Sequence, residues 1–109
     1  DLNATGIDNH KLAIKMAKRH GVNAEVGDCY SLTGNYDAVF MGDIIEHLDY
    51  PEKAIEEAGK VADIIYIATP PKEKELRPYH VKEFSVAELD KFMKDLGWFF
   101  WKLWMREYR

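Results

Sequence analysis

Hydrophobic positions along the chain follow two periodicities, which separate helical from extended segments. Apolar side chains recur every three or four positions in three segments, residues 9–20, 49–62 and 85–97, and this spacing predicts three helices. Alternating or continuous apolar runs predict five strands, at residues 4–7, 24–26, 36–42, 64–68 and 98–108. Because helices of crossover length lead into apolar strands, the order predicts an α/β fold with a largely parallel sheet and flanking helices.

Local signals predict where the helices begin and which side chains they bury. Asp49, followed three residues later by Glu52, has the capping-box pattern, and Ser85 with Glu88 repeats it before the last helix. The strand at residues 36–42 is mostly apolar, so we expect it to be buried on both faces. For the first helix, the periodicity predicts an inward face made of Leu12, Ala13, Met16 and Ala17.

Composition places the chain among ordinary globular domains. Its 109 residues, 47% of them hydrophobic and 31% charged, suit one domain spanning residues 1–109 and exclude a disordered or fibrous chain. The net charge of −4 disfavours general nucleic-acid binding, and the lack of an 18-residue apolar run argues against a membrane span. Cys29 is the single cysteine, which excludes an internal disulfide and favours a reducing, cytoplasmic setting.

Acidic side chains follow three of the predicted strands. Asp8, Asp28 and Asp43 each lie within two residues of a strand end, and ligands of open parallel sheets bind outside the carboxyl ends of the strands. One carboxylate in such a place can accept both hydroxyls of a ribose, and another can accept an adenine amine. Each aspartate alone could equally be a turn or cap residue, so only the set of three points to a nucleoside.

Several segments together resemble a known family. They read Gly-Ile-Asp at residues 6–8, Ala-Glu-Val-Gly-Asp at 24–28, Tyr-Asp-Ala-Val-Phe-Met-Gly-Asp-Ile-Ile-Glu-His-Leu at 36–48, Pro-Glu at 51–52 and His-Val-Lys-Glu-Phe-Ser at 80–85. This combination is similar to the class I S-adenosylmethionine-dependent methyltransferases, in particular the small-molecule subgroup that includes quinone-biosynthesis enzymes. The resemblance implies a Rossmann-like fold, S-adenosylmethionine as the cofactor and methyl transfer to a small-molecule acceptor.

The resemblance also implies which residues hold the cofactor. Asp8 would bind the ribose hydroxyls and Asp28 the adenine amine, with the backbone N–H of Cys29 near the adenine ring. The Cys29 side chain can also be interpreted as a small buried hydrophobe. Asp43 would lie near the methionine moiety and the acceptor.

Two histidines are the candidate catalytic residues. The resemblance places His47 and His80 on the acceptor side, although either could be a turn residue that is hydrogen-bonded to backbone. Asp43, Glu46 and His47, with His80 further along, invite a metal site, but their spacing matches no helical ligand motif. From spacing alone we therefore expect no metal.

One motif of the family is missing from the sequence. The family has a glycine-rich turn after its first strand, whereas only seven residues precede Asp8 and no two of the seven glycines are closer than six positions. The chain is therefore expected to be a partial domain, and its beginning at Asp1 favours a fragment of a longer enzyme. A second copy that supplies the missing strand would also account for the gap, and so would a degenerate relative of the family.

An alternative function follows from this gap. The chain could be a non-catalytic, methyltransferase-like module that associates with itself or with a partner. The aromatic segment 98–108 supports this hypothesis as a candidate homo-oligomer interface, although a core strand or a base-stacking surface would have the same pattern.

Overall fold

The computed structural model describes residues 3–99 of the chain. Its elements in chain order are β1 (Gly6–Asp8), α1 (Lys11–Arg19), β2 (Ala24–Val26), β3 (Val39–Gly42), a 3₁₀ turn (Ile45–His47), α2 (Pro51–Val61), β4 (Ile65–Ala68) and α3 (Val86–Asp95). Helices and strands follow one another in the order that the sequence predicts. Most of the predicted strand at residues 98–108 lies outside the described residues.

The chain divides into two compact units. The first contains residues 1–41 and 50–66, and the second contains residues 42–49 and 67–109. The prediction of one partial domain over residues 1–109 stays a prediction.

In the first unit, β1 and β2 form a parallel pair. Gly6 lies opposite Ala24 and Asp8 lies opposite Val26, while α1 connects the strands and packs on both. The Asn23 side chain holds the start of β1 through Thr5 Oγ1 at 3.1 Å. The core of this unit includes the inward face of α2, where Ala54, Ile55 and Ala58 are fully buried.

β3 and β4 form a second pair of strands. The Val39 N–H donates to the Ile64 carbonyl at 2.9 Å, and the Asp43 N–H donates to the Ala68 carbonyl at 2.8 Å. Both strands advance in the same direction between these two bonds, so the pair is parallel. The parallel pairs and their flanking helices confirm the predicted α/β class, although within residues 3–99 the two pairs are separate two-stranded sheets.

The second unit is organised by α3 and the segment before it. Ser85 and Glu88 form the predicted capping box: the Glu88 N–H donates to Ser85 Oγ and the Ser85 N–H donates to a Glu88 carboxylate oxygen. The buried side chains of this unit include Phe84, Leu89 and Met93. The helix therefore begins and buries its face as the sequence predicts.

The predicted cap of α2 is wrong. The N-cap residue is Tyr50, which makes no side-chain cap bond, and the helix begins at Pro51. Asp49 lies one residue too early for this register. Proline fits the first helical position because its fixed φ suits a helix and its missing N–H costs nothing there.

Two burial predictions also differ from the structure. In α1 the buried residue is Ile14, whereas Leu12 and Met16 are 59% and 53% exposed. In β3, Met41 is buried but Phe40 is 71% exposed, so the strand is not buried on both faces. Burial that alternates in this way indicates a strand covered on one face only.

The helices of the described residues are short. The longest, α2, has 11 residues, whereas a membrane-spanning helix needs about 20. No helix within residues 3–99 could cross a bilayer.

Candidate functional site

Asp8 ends β1 and organises the turn into α1. Its Oδ1 accepts from the His10 N–H at 2.8 Å, and the His10 ring in turn accepts from the Ala13 N–H as the N-cap of the helix. The Asp8 side chain is exposed, and this turn uses one of its two carboxylate oxygens. The second oxygen faces no described donor, so it can receive a ligand hydroxyl.

Asp28 occupies the equivalent place after β2. Its Oδ1 accepts from the Tyr30 N–H at 2.9 Å, and its carbonyl accepts from the Ser31 N–H at 3.0 Å. Tyr30 is held in turn, because its hydroxyl accepts from the Tyr50 N–H at 3.2 Å and its ring lies 5.8 Å from the Lys53 ammonium. Hydrogen bonds of Asp28 and of Tyr30 therefore both hold the turn at residues 28–31.

The strand register brings Asp8 and Asp28 to the same edge of the sheet. Asp8 lies opposite Val26, and Asp28 follows Val26 by two residues. Because β1 and β2 are parallel, both aspartates leave the sheet at its carboxyl end. We call these two residues the carboxylate pair.

Gly27 lies between the two strand ends. A Cβ atom at this position would stand 3.1 Å from Cβ of Ile7 on β1, which is closer than ordinary side-chain contacts. The Gly27 N–H donates to the Asp8 carbonyl at 3.0 Å and extends the ladder past the end of β2. Glycine therefore lets the strands that carry the carboxylate pair stay close at their ends.

Cys29 is half-buried next to Asp28. Burial, with a smaller contribution from the charge of Asp28, raises the pKa of its thiol above the ordinary value. The thiol therefore stays protonated near neutral pH, as expected of a packing side chain rather than a nucleophile.

Asp43 belongs to the second unit, where it follows β3. It has a positive φ of 53°, which is uncommon for a residue with a side chain but tolerated by aspartate. Its N–H donates to the Ala68 carbonyl, and its side chain is exposed.

Glu46, His47 and His80 also lie together in the second unit, and we call them the histidine cluster. One potential ligand atom of each residue lies within 4.8 Å of the others. The two rings meet edge to face, with 4.7 Å between their centroids. Glu46 is only 1% exposed: its Oε2 accepts from the Thr69 hydroxyl at 2.8 Å, whereas its Oε1 has no hydrogen-bond partner among the described residues.

Hydrogen bonds fix the protonated nitrogen of each histidine. His47 Nδ1 lies 2.8 Å from the Tyr79 carbonyl oxygen, which can only accept, so Nδ1 carries the proton. His80 Nδ1 lies 2.6 Å from Glu83 Oε2, and because a carboxylate oxygen can only accept, Nδ1 of this ring also carries the proton. In the neutral form of either ring, Nε2 is therefore the nitrogen without a proton.

Glu83, which sequence reasoning did not single out, is hydrogen-bonded to the candidate site residue His80. The carboxylate is buried and accepts hydrogen bonds from the Glu73 N–H, the Arg77 N–H, the Arg77 guanidinium and His80. The Glu73 N–H, helped by His80 and Arg77, outweighs burial and lowers the pKa of Glu83 to about 2. The His-x-x-Glu spacing from His80 to Glu83 is the signal that could have found it.

Comparison with known proteins agrees with this architecture. A family model described as a methyltransferase domain matches residues 2–63, which is more than half of the chain. No match is found among curated protein sequences.

Two solved structures share the fold. The first is the magnesium protoporphyrin IX methyltransferase ChlM from Synechocystis PCC 6803 with bound SAH, with a TM-score of 0.70 and 18% identity over 85% of this chain and 52% of that one. The second is the N-terminal domain of EvdMO1 with bound SAH, with a TM-score of 0.60 and 16% identity over 84% of this chain and 53% of that one. The chain thus spans about half the length of each structure. It belongs to the methyltransferase-domain family, and its fold is that of the class I S-adenosylmethionine-dependent methyltransferases.

Proposed function

We propose that the protein is an S-adenosylmethionine-dependent methyltransferase that acts on a small-molecule acceptor. The carboxylate pair is the observation that carries the proposal. Asp8 and Asp28 leave adjacent parallel strands at one edge, and each uses one carboxylate oxygen in its own turn. A nucleoside offers hydroxyl and amine donors, which suit the remaining oxygens.

In this proposal, Asp8 binds the ribose hydroxyls and Asp28 binds the adenine amine. The Cys29 backbone N–H lies next to Asp28 in sequence and would face the adenine ring. Asp43 would bind near the methionine end of the cofactor. The two structural neighbours, which were both crystallised with SAH, support this choice of cofactor.

The histidine cluster would serve the acceptor. S-adenosylmethionine supplies a methyl group on a positively charged sulfur, so transfer depends mainly on alignment of the acceptor. In their neutral forms, His47 and His80 each present Nε2 as an acceptor, which can take a hydrogen bond or a proton from an acceptor group. We therefore assign both histidines to the acceptor side as catalytic residues.

Calorimetric titration of the natural full-length protein with S-adenosylhomocysteine tests the proposal. We expect one ligand per chain and weaker binding by the Asp28→Asn variant. Asp37→Asn is the matched control, because Asp37 is an exposed aspartate of the segment between β2 and β3. Absence of binding at millimolar ligand by folded protein would reject the proposal.

A second candidate function is a non-catalytic module that acts through self-association. Exposed aromatic side chains on the strands favour it, since Phe40 on β3 and Tyr66 on β4 are 71% and 56% exposed. Light scattering over a range of protein concentrations distinguishes the two. Self-association without binding of S-adenosylhomocysteine would favour the module, and a concentration-independent monomer that binds the ligand would favour the enzyme.

A further inference from the structure

The histidine cluster contains a buried carboxylate oxygen without a partner among the described residues. Glu46 is 1% exposed, and its Oε1 lies 3.6 Å from His47 Nε2, beyond hydrogen-bond distance. A buried carboxylate oxygen left in this state is costly. Potential ligand atoms of Glu46, His47 and His80 lie within 4.8 Å of one another, and carboxylate oxygens and imidazole nitrogens are atoms that bind metal ions.

Both imidazoles are held as metal-binding histidines usually are. A metal-bound histidine ligates through one nitrogen and donates the N–H of the other to a carbonyl or a carboxylate. His47 does so toward the Tyr79 carbonyl, and His80 does so toward Glu83. These two hydrogen bonds leave Nε2 as the nitrogen of each neutral ring that can ligate a cation.

We propose that Glu46, His47 and His80 bind one divalent cation of the zinc type. Two imidazole nitrogens and one carboxylate oxygen form a ligand set typical of zinc, whereas Mg²⁺ and Ca²⁺ prefer oxygen ligands alone. Ligand atoms around a tetrahedral zinc lie roughly 3.3 Å apart, given bonds of about 2.0–2.1 Å. The 3.6 Å between Glu46 Oε1 and His47 Nε2 is close to this value, and one potential ligand atom of each of the three residues lies within 4.8 Å of the others.

Sequence spacing could not identify this set. Glu46 and His47 are adjacent, and His80 is more than thirty residues away, so the three residues form no local motif. The fold supplies the third ligand. The backbone of the 3₁₀ turn is joined directly to the chain next to His80, because the Val81 N–H donates to the Glu46 carbonyl at 2.7 Å.

A cation with three protein ligands has a fourth position open, as in catalytic zinc sites. A hydroxyl oxygen of the acceptor could occupy this position, and the cation would then lower the pKa of that hydroxyl. In that case the cation would activate the acceptor, and the imidazoles would not need to accept its proton. This consequence for the acceptor rests on the proposed function, whereas cation binding does not.

Titration of the metal-free full-length protein tests the site. We expect one Co²⁺ per chain, seen by its visible absorption, and its displacement by Zn²⁺. His80→Ala and Glu46→Gln should each weaken Zn²⁺ binding by at least about 10-fold, because the first removes one of three ligands and the second removes the negative charge of another. His20→Ala is the matched control, since His20 is an exposed histidine at the end of α1.

The affinities of the variants for Zn²⁺ distinguish a specific site from adventitious binding. Zn²⁺ affinity unchanged in both cluster variants, or lowered equally by His20→Ala, would show adventitious surface binding and overturn the proposal. If His80→Ala does not fold, the more exposed His47→Ala gives the same test. Titration of the parent with S-adenosylhomocysteine distinguishes the two proposals. A protein that binds S-adenosylhomocysteine but no cation rejects only the metal site. A protein that binds the cation but not S-adenosylhomocysteine rejects only the proposed function.

Discussion

The carboxylate pair and the histidine cluster are built in opposite ways. Asp8 and Asp28 are exposed, and the side chain of each accepts a hydrogen bond from a backbone N–H two positions further along the chain. In the histidine cluster, Glu46 is buried and His47 is held by Tyr79, 32 residues away. The pair therefore depends on local turns, whereas the cluster depends on how a long segment of chain closes.

This difference predicts separable effects of substitution. Changes in the carboxylate pair should alter binding of the nucleoside and leave the fold intact, because both side chains are exposed. Changes around the histidine cluster should alter the orientation of the imidazoles and the binding of a cation. Asp8→Ala and Glu83→Gln test this division directly, and Gly27→Ala and Glu88→Gln test the stability of the unit that carries each region.

Asp8→Ala should have the largest effect. It removes a charge-assisted contact to the ribose, which we expect to weaken binding of S-adenosylhomocysteine by about 1.5–3 kcal/mol, or about 10–150-fold. Calorimetry measures this loss, and circular dichroism should show an unchanged fold. Unchanged affinity would contradict the assignment of Asp8 to the ribose, and a matching loss of Zn²⁺ affinity would contradict the separation of the two regions.

Glu83→Gln should disturb the histidine cluster and the anchoring of residues 73 and 77, and leave the carboxylate pair unchanged. The glutamine amide can donate to His80 Nδ1 and would move the ring proton to Nε2, as a carboxylate-to-amide change does beside other oriented histidines. We expect nitrogen NMR shifts to report the inverted tautomer and Zn²⁺ affinity to fall by about 10–100-fold. Affinity for S-adenosylhomocysteine should not change. A His80 ring that keeps its proton on Nδ1 would contradict the orienting role of Glu83.

Gly27→Ala should destabilise the first unit. The new methyl group would meet Ile7 at 3.1 Å, and overpacking of this kind costs about 1–3 kcal/mol. Urea unfolding measures the loss, and the double variant with Ile7→Ala should recover much of it. Gly59→Ala, on the exposed face of α2, is the control and should be neutral or stabilising.

Glu88→Gln should have the smallest effect, visible only in acid. The Lys72 ammonium, together with the hydroxyl and N–H of Ser85, lowers the pKa of Glu88 from 4.5 to about 2. A lowered pKa stabilises the folded protein above pH 4.5, and this contribution is lost as the pH falls from 4.5 to 2. Melting temperatures should therefore depend less on pH over this range in Glu88→Gln than in the parent. Glu75→Gln, which changes an exposed loop carboxylate, should keep the parent's dependence.

Local signals predicted the fold and the carboxylate pair. β2, the capping box of α3 and the aspartates at the ends of β1 and β2 follow from patterns only a few residues long. The assignment of Asp49 as a cap was wrong because it also rested on a short pattern. Asp49 and Tyr50 are both possible N-cap residues of α2, and the choice depends on which helix register buries Ala54 and Ile55.

The histidine cluster could be predicted only in part. The family resemblance pointed to His47 and His80, but their contact and the roles of Glu83 and Tyr79 depend on the closure of the segment between β4 and α3. Four donors converging on one buried carboxylate determine that closure. No periodicity records such an arrangement, because the donors are backbone groups and side chains at irregular intervals.

Glu83 also divides the segment before it into anchored and free positions. It holds the backbone N–H groups of residues 73 and 77, while Lys74, Glu75 and Leu76 between them are exposed. Substitution of these three side chains should therefore leave the hydrogen bonds of Glu83 to the backbone and to His80 in place. The same property makes Lys74 a practical attachment point for a fluorophore, placed in the unit that contains the histidine cluster yet outside the hydrogen bonds that shape it.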